Sequence, residues 1–266
     1  MNVMILFDGV EVEYSVSGKG RPVVLVHGYL EAKEIWKGLS QKLEKNYKVI
    51  SVDLPGHGAS GVSGETHTME YLADVVREVI VNAGERKVLL IGHSLGGYVA
   101  LAFVHKYPEM LSGYVLFHSH PNSDSPEAIT KRDREITVVK AGKKDLMYPA
   151  NIAMMFARQN LESMPEELAG SKAIASLNPA DGIIALLNGM IVRPSRISVV
   201  ESGRVPLLWI LGRWDLYFSP EKALGSVNLP DNAEVVILEN SGHLGFIEET
   251  DLSARLIDEF AGNIGW

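Results

Sequence analysis

The stretch Gly92-His93-Ser94-Leu95-Gly96 decides the fold class of this 266-residue chain. It has the form G-x-S-x-G, and it lies between an apolar run at residues 87–93 and a helical pattern that stops before Pro108. A serine in this position sits on a tight, strained turn, and small neighbours leave room for that turn. The pattern predicts a nucleophile elbow, with the Ser94 hydroxyl at the carboxyl end of a parallel strand.

Apolar runs and amphipathic stretches alternate on both sides of the elbow, which is typical of strands covered on both faces by helices. The predicted strands are residues 10–16, 22–27, 47–53, 87–93, 113–118, 205–212 and 234–239. Residues 10–16 alternate in hydropathy and are predicted to be an edge strand, whereas residues 22–27 are continuously apolar and central. The chain length is consistent with one α/β domain.

Residues 119–203 show no strand pattern and interrupt this alternation. They carry helix-start signals at Ser125-Pro126, Tyr148-Pro149 and Asn178-Pro179, where the missing N–H of proline costs least. The sequence therefore predicts a core of residues 1–118 and 204–266, with residues 119–203 inserted as a helical cap. The charges of residues 131–135 alternate in sign and predict a solvated helix face.

A serine hydroxyl is a weak nucleophile at neutral pH and needs a general base, which in turn needs a group that fixes its tautomer. After this type of elbow the acid and then the histidine follow along the chain, each at the end of a strand. Asp215 and His243 meet that requirement. Asp124 and Asp231 are rival acids, but Asp124 lies at the entrance of the cap and Asp231 precedes a strand.

The loop His27-Gly28-Tyr29 follows the predicted central strand. In an elbow of this kind, an amide of that loop pairs with the amide after the nucleophile to bind a developing oxyanion. The sequence therefore assigns the oxyanion hole to the backbone N–H groups of Tyr29 and Leu95. His27 and Gly28 are predicted to lie beside the substrate, although the glycine is also explained by the turn alone.

Further candidates for the substrate pocket come from the cap entrance and from the cap itself. His118 and His120 follow a strand end, where ligands bind in open α/β sheets. Met154 and Met155 belong to a methionine-rich part of the cap that either fills its core or forms an adaptable apolar lining. Both pairs are predicted to contact a small substrate with an apolar acyl or ring group.

Composition excludes several other functions. The chain has no cysteine, so thiolate metal sites, disulfides and a cysteine nucleophile are excluded. Its formal net charge of −8 argues against a nucleic-acid partner. No apolar run reaches the roughly 20 residues of a membrane span, and the N-terminus lacks the pattern of a signal peptide, so we predict a cytoplasmic protein.

Two motifs suggest a cofactor or a metal but lack the required context. Residues 56–61 match G-x-G-x-x-G after a strand, but the loop continues to about Thr66 where a dinucleotide site requires a helix. His118 and His120 with Asp124 lack a completing ligand at a familiar metal-site spacing. The sequence therefore predicts no cofactor and no metal.

These motifs together resemble the α/β-hydrolase superfamily over the whole chain outside the cap. The resemblance implies an eight-stranded, mostly parallel sheet, a triad of Ser94, His243 and Asp215, and a lid over the pocket. It is greatest to small, cofactor-free esterases and carbon–carbon-bond hydrolases, and the serine at the elbow differs from branches with an aspartate nucleophile. The motifs are His27-Gly28, residues 53–60, Gly92-His93-Ser94-Leu95-Gly96-Gly97, Gly212-Arg213-Trp214-Asp215 and Gly242-His243.

We predict a serine hydrolase that cleaves a small carboxylic ester through an acyl-enzyme. A carbon–carbon-bond hydrolase of a diketone-like substrate is the nearest alternative, because the same triad serves both reactions. A lyase that uses the triad for acid–base chemistry is a further enzyme alternative. A ligand-binding receptor with slow or no turnover is the alternative from another class, since a fold does not fix a function.

Overall fold

The computed structural model describes residues 1–265, and its centre is one eight-stranded sheet in the order β1-β2-β4-β3-β5-β6-β7-β8. The strands are β1 (Asn2–Phe7), β2 (Val10–Gly18), β3 (Arg21–Val26), β4 (Tyr47–Val52), β5 (Val88–His93), β6 (Leu111–Phe117), β7 (Leu207–Gly212) and β8 (Ala233–Leu238). β1 and β2 run antiparallel to their neighbours, and the other strands are parallel. This is the predicted eight-stranded, mostly parallel sheet of the α/β-hydrolase fold.

One strand assignment from the sequence is wrong. β2 was predicted to be the edge, but β1 pairs with it from Asn2–Ser15 to Phe7–Val10 and occupies the edge itself. The alternation in β2 arises because its two faces differ in exposure, not because it lacks a neighbour. Only a central strand of a parallel sheet needs to be continuously apolar.

The register of the parallel strands aligns their carboxyl ends at one edge of the sheet. Val26 of β3 lies beside Gly92 of β5, and Gly92 lies beside Leu116 of β6. On the other side, Gly212 of β7 lies beside Leu238 of β8. The loops that follow these five strands therefore meet at the same edge, which is where open α/β sheets bind ligands.

Helices cover both faces of the sheet. They are α1 (Lys37–Leu43), α2 (Met69–Asn82), α3 (Leu95–Lys106), α4 (Pro126–Lys140), α5 (Lys144–Met155), α6 (Pro165–Leu177), α7 (Ala180–Val192), α8 (Ile197–Glu201), α9 (Pro220–Leu224), α10 (Gly245–Glu248) and α11 (Thr250–Asn263), with 3₁₀ turns at Lys33–Trp36, Pro108–Met110 and Arg158–Asn160. α3 is buried around most of its circumference, whereas α2 and α11 bury one apolar stripe each. The elbow helix is thus more enclosed than α2 and α11.

Helices α4 to α8 lie between β6 and β7, within the residues for which the sequence predicts a helical cap, and this helical segment is called the cap below. Ser125 caps α4 as predicted, because its Oγ accepts the Ala128 N–H at 3.2 Å. The predicted helix start at Pro149 is wrong, since this proline lies inside α5, which begins at Lys144. The limits of a separate cap domain at residues 119 and 203 stay a prediction.

The cap meets the core through a close backbone contact. A Cβ atom on Gly182, in the first turn of α7, would lie 2.0 Å from the carbonyl oxygen of Gly56 in the loop after β4. Gly56 itself has φ +88°, which favours glycine. The two glycines let the start of α7 rest directly on the core loop.

Within residues 1–265, no individual helix has the length and apolar character needed to cross a membrane. The consecutive helices α6 and α7 meet those criteria only when taken together, and they are bent by 96° relative to each other.

Candidate active site

Ser94 occupies a strained turn between β5 and α3. Its φ is +49° and its ψ is −112°, a conformation that costs a non-glycine residue on the order of 1–3 kcal/mol. Neighbouring glycines make the turn possible: a Cβ on Gly92 would lie 2.2 Å from the Gly96 oxygen, and one on Gly96 would lie 2.2 Å from the Val26 oxygen. The sharp turn brings Ser94 to the wall of a cavity above the sheet edge.

His243 and Asp215 form a short hydrogen bond beside the same cavity. His243 follows β8 and Asp215 follows β7, and His243 Nδ1 lies 2.6 Å from Asp215 Oδ2. The other carboxylate oxygen accepts the backbone N–H groups of Tyr217 at 2.7 Å and Phe218 at 3.1 Å. These two amides fix the carboxylate plane so that Oδ2 faces the imidazole.

Asp215 is held in its charged form by this environment. Burial by itself would raise the pKa of the Asp215 carboxyl, but the charge and hydrogen bond of His243 lower the pKa below its usual value. A carboxylate in this position orients an imidazole with its proton on Nδ1 and stabilises the cation that forms when Nε2 takes a proton. The pair therefore has the geometry of a general base and its orienting acid.

His118 lies behind this pair. The backbone N–H of Gly245 donates to His118 Nε2 at 3.1 Å, so the neutral ring carries its proton on Nδ1. That Nδ1 is 3.6 Å from Asp215 Oδ2, and the side chain is fully buried. Burial lowers the pKa of His118 well below its usual value, so the ring is a neutral dipole aimed at Asp215.

Two backbone amides at the elbow have no acceptor within the described residues. The Gly28 N–H donates to Glu31 Oε2 and the Leu30 N–H donates to His57 Nε2, but the Tyr29 N–H between them is not engaged. Leu95 is the first residue of α3, where an N–H has no partner inside the helix. Both open donors belong to the loops that the sequence assigned to an oxyanion hole.

The cavity beside Ser94 has a volume of about 430 Å³, which is within the range of small-molecule sites. Its wall is mixed in polarity rather than uniformly apolar. Apolar contributions come from Leu30, Met155, Met190, Leu216 and Phe218, and polar ones include Asp124, Lys131, Arg132, Glu135 and Asn151.

The predicted pocket residues divide into two groups. His120 and Met155 line the cavity. Met154, by contrast, points outward with 44% of its surface exposed, because adjacent residues of α5 lie on different faces of the helix. The prediction for Met154 is therefore wrong.

His27, Gly28 and His118 were also predicted to line the pocket, and the structure places them behind its wall. His27 is fully buried, donates from Nδ1 to the Gly28 carbonyl at 2.7 Å and accepts the Leu54 N–H at Nε2 at 3.0 Å. A Cβ on Gly28 would meet His93 and Glu31 within 3 Å, so the space beside it is already filled. These residues shape the loops and do not contact the cavity.

The structure also contradicts the prediction for the charged face of α4. Residues 131–135 were predicted to be a solvated face, but Arg132 and Glu135 line the cavity together with Lys131. Arg132 donates to both oxygens of Asp124 at 2.6 and 3.2 Å, and Arg193 pairs with the same carboxylate at 2.8 Å. Burial raises the pKa of Glu135, although Lys131 and Arg132 oppose that change.

The metal cluster considered from the sequence is not assembled. Asp124 is occupied by its two arginines, and His120 contacts the Tyr98 hydroxyl and the Asn122 N–H. In residues 1–265, the three groups close enough to share a cation are His118, Asp215 and His243, whose ligand atoms lie within 4.8 Å of one another. The hydrogen bonds described above account for that proximity.

Known proteins that are similar to this chain identify its family and its fold. Residues 21–250 match the model of the family described by the α/β-hydrolase fold, and the chain belongs to that family. A putative 2-succinyl-6-hydroxy-2,4-cyclohexadiene-1-carboxylate synthase from Bacillus subtilis is 28% identical over 95% of this chain and 96% of its own length. A pimeloyl-[acyl-carrier protein] methyl ester esterase from Methylococcus capsulatus is 28% identical over 92% of this chain and 96% of its own.

Among solved structures, a thermophilic esterase from Thermogutta terrifontis, determined with bound malate, superposes with a TM-score of 0.93. It is 28% identical, and the alignment covers 99% of each chain. These likenesses confirm the predicted family and show that the chain is an α/β-hydrolase enzyme.

Proposed function

We propose that this enzyme cleaves a small carboxylic ester, with Ser94 as nucleophile, His243 as general base and Asp215 as its orienting acid. One observation carries the proposal: a histidine fixed by a carboxylate at 2.6 Å borders the cavity that also contains the elbow serine. The open amides of Tyr29 and Leu95 belong to the two loops beside that serine. The esterases among its relatives support the same assignment.

The reaction follows from these positions. His243 Nε2 accepts the Ser94 hydroxyl proton while Oγ bonds to the ester carbonyl carbon, and the carbonyl oxygen becomes an anion held by the N–H groups of Tyr29 and Leu95. The bond to the alcohol oxygen then breaks, and that oxygen takes the proton from His243. Water repeats the sequence on the acyl-enzyme, which releases the acid and restores Ser94.

The cavity supports a small substrate, and its polar wall changes the substrate prediction. A volume of about 430 Å³ limits the combined size of the acyl and alcohol groups. Arg132, Glu135 and Asn151 line the cavity together with apolar side chains, so we expect a substrate that carries a hydrogen-bonding group as well as an apolar part. Location in the cytoplasm stays a prediction from the sequence.

Turnover of short 4-nitrophenyl esters tests the proposal. Ser94→Ala should lose about 10⁴-fold or more in kcat while its thermal unfolding stays close to that of the unmodified protein, because removal of a triad nucleophile abolishes the covalent route. Ser202→Ala is the matched control, since this exposed serine follows α8, does not line the cavity and should keep its activity. A folded Ser94→Ala variant that retains a tenth of the activity would contradict the assignment.

A second candidate is cleavage of a carbon–carbon bond or an elimination by the same residues. The observation that favours it is the synthase name of the Bacillus subtilis relative, which matches nearly the whole chain. Parallel assays with simple esters, diketones and β-hydroxy acids separate the candidates. If only diketones or β-hydroxy acids are turned over, and this turnover depends on Ser94, carbon–carbon cleavage or elimination would replace the ester proposal.

A further inference from the structure

A buried carboxylate and a buried histidine connect the loops on either side of Ser94. Glu31 follows the loop that contains Tyr29, and His93 immediately precedes Ser94. Their side chains are 1% and 0% exposed, and His93 Nδ1 lies 2.9 Å from Glu31 Oε2. The mechanism proposed above does not use either residue.

Each partner has a second contact that reaches the candidate catalytic groups. Glu31 Oε2 accepts the Gly28 N–H at 2.5 Å, which fixes the peptide just before Tyr29. His93 Nε2 lies 2.8 Å from the backbone carbonyl of His243. A single hydrogen-bonded path thus runs from the oxyanion loop, beneath the elbow, to the backbone of the general base.

The chemistry of the acceptors determines where the protons lie. A backbone carbonyl only accepts, so His93 must carry a proton on Nε2. The oxygen facing Nδ1 belongs to a carboxylate, so a further proton is shared between Nδ1 and Oε2. The contact is a buried, charge-assisted hydrogen bond with a fixed geometry, which is stronger than a neutral one.

We propose that Glu31 and His93 are positioning residues that hold the Tyr29 amide and the His243 backbone in register with Ser94. The inference rests on the proposed function, because it assigns these residues to the same reaction. Neither side chain touches the substrate. Their role is to keep two loops from different strand ends at the separation that the transition state requires.

The surroundings of the pair leave few other ways to maintain this geometry. Trp36 and Phe246 pack against the His93 ring at centroid distances of 6.2 and 4.9 Å. The titratable groups that face the ring are Glu31 itself, His118 at 6.1 Å and His243 at 4.8 Å. A buried Gly28 N–H left without an acceptor would cost free energy, and a movement of the loop that finds another acceptor would lower that cost.

Glu31→Gln tests the proposal with almost no change in volume. Both hydrogen bonds end on Oε2, and the amide oxygen can take that place. The change therefore removes the negative charge that strengthens the two bonds and puts an NH₂ group where Oε1 has no hydrogen-bond partner within the described residues. We expect kcat for a 4-nitrophenyl ester to fall about 10- to 100-fold with little change in KM, a fraction of the 10²- to 10³-fold lost when an oxyanion donor is removed. Affinity for phenylboronic acid, which forms a tetrahedral anion on an active serine, should fall by a similar factor.

Asp74→Asn is the control for a purely structural effect. Asp74 pairs with Lys106 and Tyr107 at the far end of α3 from the elbow. This variant should lower the thermal stability but leave the ratio of boronate affinity to KM unchanged. A Glu31→Gln variant that loses stability yet keeps both kcat and boronate affinity overturns the inference.

His93→Asn separates the two ends of the path and replaces Glu31→Gln if the latter does not fold. An asparagine amide occupies the place of Nδ1, so it keeps a donor for Glu31 and loses the contact with the His243 carbonyl. We expect the kcat of His93→Asn to fall by a larger factor, relative to the unmodified protein, than its boronate affinity. A loss of affinity equal to or greater than the loss of kcat overturns the inference. If the unmodified protein shows no turnover that depends on Ser94, the proposed function and this inference are both overturned. If turnover depends on Ser94 but Glu31→Gln keeps its kcat and its boronate affinity, this inference alone is overturned.

Discussion

Asp215→Asn probes the orientation of the proposed general base, His243, more directly than removal of the side chain would. The N–H groups of Tyr217 and Phe218 both donate to Oδ1, so the asparagine must keep its oxygen in that place. Its NH₂ group then takes the position of Oδ2, 2.6 Å from His243 Nδ1. An amide donor in this position requires Nδ1 to accept, which places the imidazole proton on Nε2.

That tautomer cannot accept the Ser94 proton, and the neutral amide does not stabilise an imidazolium. In a related triad the equivalent change lowers kcat by about 10⁴-fold, which corresponds to roughly 5 kcal/mol of transition-state stabilisation. We expect a loss of this size here, because the two backbone amides hold the side-chain oxygen at the position of Oδ1. Rotating the asparagine side chain would set its NH₂ group against those two donors. Initial rates with a short 4-nitrophenyl ester, on protein shown to be folded by thermal melting, measure the effect.

Asp124→Asn is the comparison variant. Asp124 pairs with Arg132 and Arg193, so this change should weaken the cap and raise KM while kcat falls by less than about tenfold. Near-normal kcat in a folded Asp215→Asn variant, together with collapse of kcat in Asp124→Asn, would refute the reasoning and move the orienting acid to the cap entrance.

Two further predictions concern stability. Gly182→Ala should lower the melting temperature by several degrees, because the added methyl would lie 2.0 Å from the Gly56 carbonyl oxygen and must separate the cap from the core; an unchanged melting curve would contradict this contact. Burial lowers the pKa values of His57 and His120 to about 3, so below pH 6.5 the unfolded chain binds protons that the folded chain does not, and stability falls as the pH falls. Between pH 6.5 and 5 the two histidines together should lower the free energy of unfolding by roughly 3 kcal/mol, and His57→Gln should reduce the pH dependence measured by urea unfolding by about half of that amount.

The sequence predicts the elbow, the sheet class and the order of the candidate catalytic residues because each depends on local constraints. The glycines around Ser94 leave the backbone no alternative turn, and the positions of Asp215 and His243 follow from where strands end. The edge strand β1 was not predicted, because its formation depends on a neighbouring strand. Its six residues form a strand only because β2 is beside them, and a segment of that length is ambiguous when considered alone.

The pocket could not be predicted to the same degree, because side-chain direction at a strand end depends on a single backbone angle. His118 and His120 are two residues apart, yet His118 has φ +47° and is buried behind Asp215, whereas His120 lines the cavity. The positions of Arg132 and Glu135 in the cavity wall depend instead on how the cap lies over the core. The charge pattern of α4 is compatible with solvent on that face, and only the position of Asp124 and Arg193 in space shows that it faces inward.

The proposal of His243 as the base, rather than three other buried histidines, rests on which ring nitrogen remains available. His27, His57 and His118 each accept a backbone N–H at Nε2, from Leu54, Leu30 and Gly245 respectively. Their rings are therefore already used to fix loops, and burial lowers the pKa of each. His243 uses Nδ1 for Asp215, and among residues 1–265 no hydrogen-bond partner engages its Nε2. A base needs an unoccupied nitrogen facing its substrate, and of these four histidines His243 alone combines one with a position on the cavity wall.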